Sequence, residues 1–187
     1  MKKILIAAIA LSLGIAAQAE VFKVDTAHAG ISFSIKHLML SNTKGAFNTF
    51  DGTVDYDLET KTLKSIEGFI EASSIDTNND KRDDHLKNED FFNVSEFPRI
   101  TFKSTSIKKT GDNTFLVKGR LNVLGVDRDV SLPVTVNGPV DGPDGAKRIG
   151  LECMTTLNRR ELGITNSPAA VIGDDVKVSI EAEAIHN

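Results

Sequence analysis

His28, His37, His85 and the lone thiol Cys153 are the residues of this chain whose chemistry could go beyond packing. Imidazole and thiolate are the common ligands of zinc and related metals. Their spacing here matches no compact ligand pattern, so a metal site would need three imidazoles to converge from distant segments. His28 follows Asp25 and His37 closes an alternating stretch, positions that equally suit hydrogen-bonded groups at the rim of a fold. The chain carries no G-x-S-x-G turn, no H-E-x-x-H pair and no phosphate-cradling glycine loop. No residue is assigned a catalytic role, no metal ligand set is assigned, and no cofactor is expected. A metal-dependent enzyme stays open as the alternative that three converging histidines would support.

The elements that must position these groups begin after a leader. Lys2 and Lys3 precede an apolar run from Ile4 to Ala17, and Ala17-Gln18-Ala19 supplies an A-x-A site. This is the pattern of a cleavable signal peptide over residues 1–19, with an uncleaved anchor as its alternative. It predicts export, most simply to a periplasm, and one domain over residues 20–187. The formal charge is −4, and loss of the two leader lysines would make it more negative. That balance argues against a nucleic-acid partner. One cysteine cannot form an internal disulfide, so the core alone must hold an exported domain together.

The rest of the chain alternates with the two-residue period of half-buried strands. Ile31, Phe33 and Ile35 share one face, as do Phe50, Val54 and Tyr56, and Ile66, Gly68, Ile70 and Ala72. The pattern returns at Ile100 and Phe102, at Phe115 to Val123, at Val130 to Val136, at Ile149 to Leu157 and at Val176 to Ala184. Gly111-Asp112-Asn113 and Gly125 mark tight reversals, residues 138–145 read as a loop, and Pro133 belongs at an edge or bulge. About eight substantial strands without long helices predict an all-β antiparallel barrel, with a sandwich as alternative. Phe69 is the one apolar residue on a wet face.

Gly52, Gly68, Ala72, Ser104, Gly119, Ala182 and Ala184 fall on inward faces, and the chain has no tryptophan. Small residues set among Phe, Ile and Val point to an apolar cavity, or else to relief of crowding at barrel corners.

The stretch from Ser73 to Lys103 breaks the pattern. Residues 79–90 suit one short helix, with Asn78 or Asn79 as its cap, acid at Asp80 and Asp83 in the first turn and an i,i+4 pair from Asp83 to Lys87. Leu86 is its only apolar anchor, so it must dock on the barrel. Phe91, Phe92 and Phe97 offer the docking surface, and Pro98 starts the next strand. Such a segment is a lid or stopper over one barrel mouth.

Several motifs in this order resemble the YceI family of exported, polyisoprenoid-binding bacterial proteins. They are V-D-T-A-H-A-G-I-S-F-S-I-K-H at Val24 to His37, G-A-F at Gly45 to Phe47, S-I-D-T-N-N-D-K-R-D-D-H-L at Ser74 to Leu86, F-F-N-V-S-E-F-P-R-I-T-F-K-S at Phe91 to Ser104 and L-N-V-L-G-V-D-R-D-V at Leu121 to Val130. The segment L-N-R-R-E-L-G near Asn158 is similar to the family's pattern but lacks the tryptophan common after it. The resemblance implies a lipocalin-like, eight-stranded antiparallel barrel around an elongated apolar pore. Polyisoprenoids, isoprenoid quinones and fatty acid amides are the ligands it implies.

Together these readings predict a non-enzymatic periplasmic protein that binds, stores or transports a long-chain lipid. Ile31, Phe33, Phe50, Val54, Ile70, Phe102, Phe115, Leu121 and Ile180 are expected to line the tail. His37, Arg82 and His85 are expected near the polar head. The partners expected are the small-molecule lipid, a transient membrane contact and a homodimer hinted at by Phe69. An interaction module built on a filled barrel is the remaining alternative.

Overall fold

The computed structural model describes residues 20–187. The leader expected over 1–19 lies outside the described residues. The elements are β1 (Glu20–His37), β2 (Ser41–Phe47), β3 (Phe50–Asp57), β4 (Thr62–Glu71), β5 (Ile75–Asp76), α1 (Asp80–Lys87), β6 (Arg99–Lys109), β7 (Thr114–Val123), β8 (Val126–Asp141), β9 (Lys147–Asn158) and β10 (Ile172–His186). Eight of the strands run in the order β1-β3-β4-β6-β7-β8-β9-β10, and β10 pairs back onto β1 to close an antiparallel barrel. Closure leaves the final strand without a free edge. β2 and β5 extend one rim, where β2 pairs with the second half of β1.

β1 joins a first stretch around Val21 to the alternating one around Ile31 in a single strand. Between them Thr26, Ala27 and His28 bulge out, because the register on β10 passes directly from Asp25↔Glu183 to Ala29↔Ala182. Asp25 holds the bulge by accepting from the Ala27 amide at 3.1 Å and pairing with His28 Nδ1 at 2.8 Å. The loop expected over 138–145 is also shorter. β8 continues to Asp141 through a register shift between Asn137 and Val140, so the irregular Gly-Pro step is absorbed as a bulge. Pro133 lies on β8 just before its ladder to β9 begins at Thr135, a place where its missing N–H costs nothing. The apolar outward Phe69 lies under the guanidinium of Arg99, 4.1 Å from its ring centroid, and Arg99 is itself held by Glu71 at 2.8 Å.

Apart from the short link 48–49 between β2 and β3, strand direction places the connections at two ends. The turns over 58–61, 110–113 and 142–146 lie at one end, where Phe22, Tyr56, Leu63, Phe115, Val136, Ile149 and Ala184 form a continuous buried cluster. The turns at 38–40 and 124–125 and the long connections 72–98 and 159–171 lie at the other. There Phe47, Ala72, Ile75, Phe91, Ile100, Val123 and Ile164 are buried together. The barrel is plugged by its own side chains at one end and roofed by its connections at the other.

Candidate functional site

Between plug and roof lies a cavity of about 400 Å³, in the range of small-molecule sites. Eight of the nine residues expected to line a tail surround it: Ile31, Phe33, Phe50, Val54, Ile70, Phe102, Leu121 and Ile180. Phe115 does not. Its side chain points inward as the alternation requires, but it sits deep in the plug with 1% of its surface exposed. The small inward residues divide between the two roles considered for them. A Cβ on Gly119 would lie 2.5 Å from the Phe102 ring and one on Gly45 2.5 Å from the Phe33 ring, so these glycines seat aromatic rings. Gly52 and Gly68 face each other across β3 and β4, where added Cβ atoms would meet the carbonyls of Glu67 and Asp51 within 2.9 Å, and both border the cavity. Ser104 instead accepts from the Ile66 amide at 3.0 Å and closes an irregularity in β6.

The roof is built from the connection between β4 and β6. Asn79 caps α1 by accepting from the Arg82 amide at 3.0 Å. The helix has two turns rather than the three expected over 79–90, because from Asn88 onward the chain folds into turns that return Phe92 to the Leu86 carbonyl and Val94 to the Lys87 carbonyl. Asp83 does not pair with Lys87. Its buried carboxylate accepts from the Thr77 amide at 2.9 Å and from the Thr77 hydroxyl, and Arg82 donates to the same hydroxyl and to the Thr77 carbonyl at 2.7 Å each. This network fixes the helix so that Leu86, Phe91 and Phe92 border the cavity. Phe92 meets Phe47 edge-on at 5.8 Å, and Phe97 lies on the β7–β8 turn, where a Cβ at Gly125 would come within 2.6 Å of its ring.

The second roofing connection is organised by Arg159, which sequence reasoning missed. Only 2% exposed, its guanidinium donates to the carbonyls of Ile164, Asn166, Ser167, Ile172 and Gly173 and pairs with Asp174 at 3.0 Å. Burial lowers its pKa, the neighbouring Arg160 adds to that, and Asp174 opposes it. Arg160 donates to the same Asp174 oxygen at 2.6 Å. With its donors turned to backbone carbonyls, Arg159 supports the loop rather than offering itself to a ligand.

Of the expected head-group residues, His37 and Arg82 border the cavity at its roofed end. His85 does not: it is exposed, within 3.3 Å of Asp90, and edge-on to Phe91. The histidines do not converge. His28 and His37 are nine residues apart on one strand, roughly 30 Å at the usual rise, and His85 belongs to the roof. The structure instead brings Asp25, His28 and Glu183 together on the outer surface, with ligand-capable atoms within 4.8 Å of one another. The hydrogen bond between them lowers the Asp25 pKa and raises that of His28. Cys153 lines the cavity wall, where burial pushes its thiol up to about 11. A protonated thiol is a poor nucleophile and a poor metal ligand. At this position the wall offers no thiolate.

Residues 22–184 match the family model described as a YceI-like domain. Protein YceI of Salmonella newport is 36% identical over 184 residues, covering 96% of this chain and 94% of that protein. The crystal structure of a Campylobacter jejuni YceI protein is similar with a TM-score of 0.76 and 30% identity, over 81% of this chain and 90% of that one. A polyisoprenoid-binding domain from Saccharophagus degradans, implicated in plant cell wall breakdown, shares the fold at a TM-score of 0.69 and 14% identity, over 89% of this chain and 98% of that one. By sequence and by an eight-stranded barrel closed through β10 and β1, this chain belongs to the YceI-like family.

Proposed function

We propose that the protein is a non-enzymatic carrier or store of a long-chain apolar or amphipathic lipid, held in the barrel and handled in the periplasm. The observation that carries this reading is the continuous apolar cavity that runs from the plug at one end to Leu86, Phe91 and Phe92 at the other. A polyisoprenoid, an isoprenoid quinone or a fatty acid amide suits such a space. Each five-carbon unit taken from water is worth about 4 kcal/mol, so apolar burial alone supplies affinity. His37 and Arg82 stand where a polar head would emerge, and Arg82 is partly committed to Thr77. The Saccharophagus domain of the same fold is described as polyisoprenoid-binding, which supports the ligand class. The cavity weighs against the filled-barrel interaction module, and the separation of the histidines weighs against a three-histidine metal enzyme. Native mass spectrometry of gently purified protein tests the reading. A co-purified lipid of defined mass is expected, whereas protein that is always empty and takes up neither prenyl nor acyl chains would contradict it.

A further inference from the structure

The β1–β2 turn at the roofed end is made of Leu38, Met39 and Leu40, exposed by 49%, 62% and 84%. Such a turn ordinarily draws Asn and Gly, since Leu38 and Met39 adopt φ of 51° and 56°, the left-handed region that Leu and Met rarely occupy. Three consecutive apolar side chains are thus held out in water in a conformation they disfavour. The tip is firmly placed: the Leu38 amide donates to the Val171 carbonyl at 2.8 Å and the Leu40 amide to that of His37 at 3.0 Å. The bond to Val171 adds a fourth exposed apolar residue to the patch.

Lysines stand behind this patch on the outer face of the barrel. Ser34 pairs with Lys44 on β2 and with Lys177 on β10, so both lysines flank it on the outer face, with Lys36 two residues closer to the tip. Asp175 is the exposed acid nearby, and Asp174 is taken by Arg159 and Arg160. A local cationic excess stands out on a chain whose formal charge is −4. The patch also continues into the cavity rim, because Ile35, His37, Thr43 and Ile172 border the cavity.

We propose that the Leu38-Met39-Leu40 tip, with Val171 and the lysines behind it, is a wedge that seats the cavity mouth on an anionic bilayer surface. Apolar side chains backed by cations are the chemistry that an interface of acyl chains and anionic headgroups recognises. The wedge rests on the cavity being a lipid site for its purpose, but its docking can be read without any bound ligand.

The test is co-sedimentation of the purified protein with vesicles of phosphatidylethanolamine and phosphatidylglycerol, compared with phosphatidylcholine alone. Uptake of a fluorescent acyl probe is measured in parallel without vesicles. A variant carrying Leu38→Asn, Met39→Gly and Leu40→Thr gives the turn residues its backbone favours, so it should fold at least as well. It is expected to lower partition onto anionic vesicles by about tenfold and leave probe uptake unchanged. Neutralising Lys36, Lys44 and Lys177 to Gln should remove the preference for anionic vesicles and the loss of binding in high salt. The proposal is overturned if the native protein stays in solution, if the tip variant binds vesicles equally, or if the tip instead drives a concentration-dependent dimer. Loss of probe uptake with docking intact would count against the lipid cavity and not against the wedge.

Discussion

The two ends of the barrel are made from the same strands and the same alternation, yet one is solid and the other hollow. At the plugged end the turns are short and Phe22, Tyr56, Leu63, Phe115 and Ile149 meet across the axis. At the roofed end the inward residues stop short of one another, and the space is covered by two long connections, each pinned by one polar network: Thr77 with Asp83 and Arg82, and Arg159 with its ring of carbonyls. A filled end and a hollow end are thus separated along the barrel axis, and under the proposed function the hollow end is the one that holds a guest.

That separation can be broken from either side. Phe115→Ala removes a fully buried ring from the plug and should cost about 4 kcal/mol in urea unfolding, while the folded fraction keeps its ligand affinity. A loss of binding without that loss of stability would mean the plug belongs to the site. Arg159→Met leaves the carbonyls around it unsatisfied and should cost about 3 kcal/mol. Its signature should be local, with limited proteolysis cutting within 159–171 before the strands open. Unchanged protease resistance would show that the connection does not depend on this guanidinium.

Smaller effects sharpen the picture. Cys153 sits in the cavity wall with its thiol pushed up to about 11 by burial, so alkylation at pH 8 should be far slower than for a free thiol and slower still once lipid is bound. Fast, ligand-independent alkylation would show an open wall. The smallest effect concerns Asp25 and His28 outside the barrel. The hydrogen bond that lowers the Asp25 pKa also raises that of His28. Their joint contribution is thus complete between about pH 4 and 6.5. It falls away as acid protonates Asp25 through its depressed pKa, and as pH rises through the raised pKa of His28. His28→Gln should flatten this shallow dependence in thermal unfolding scans, and an unaltered profile would assign the dependence to other groups.

The inward faces of β7 to β10 were legible because alternation specifies which way a side chain points. Depth along the axis was not, and that is why Phe115 falls in the plug although it shares a face with Leu121. The roofing role of Phe91 and Phe92 could be read from their position after a polar helix, and the cap at Asn79 from residue type. Asp83 could not be read correctly, since its partner Thr77 lies before the helix and competes with the i,i+4 lysine on the surface. Arg159 was invisible for a related reason. Its partners are backbone carbonyls between Ile164 and Gly173, which carry no sequence signal. The meeting of Asp25 and Glu183 required the register of the closing strands.

The central claim is that the roofed half of the barrel holds a lipid tail. It is tested most directly by titrating a fluorescent polyene fatty acid into delipidated protein and into Val178→Trp, which adds bulk to the cavity wall between Phe33 and Thr155. Saturable binding at one probe per chain is expected in the native protein, with its loss in a variant that unfolds at nearly the same urea concentration. Undiminished binding by the filled barrel, or none by the native one, would contradict it.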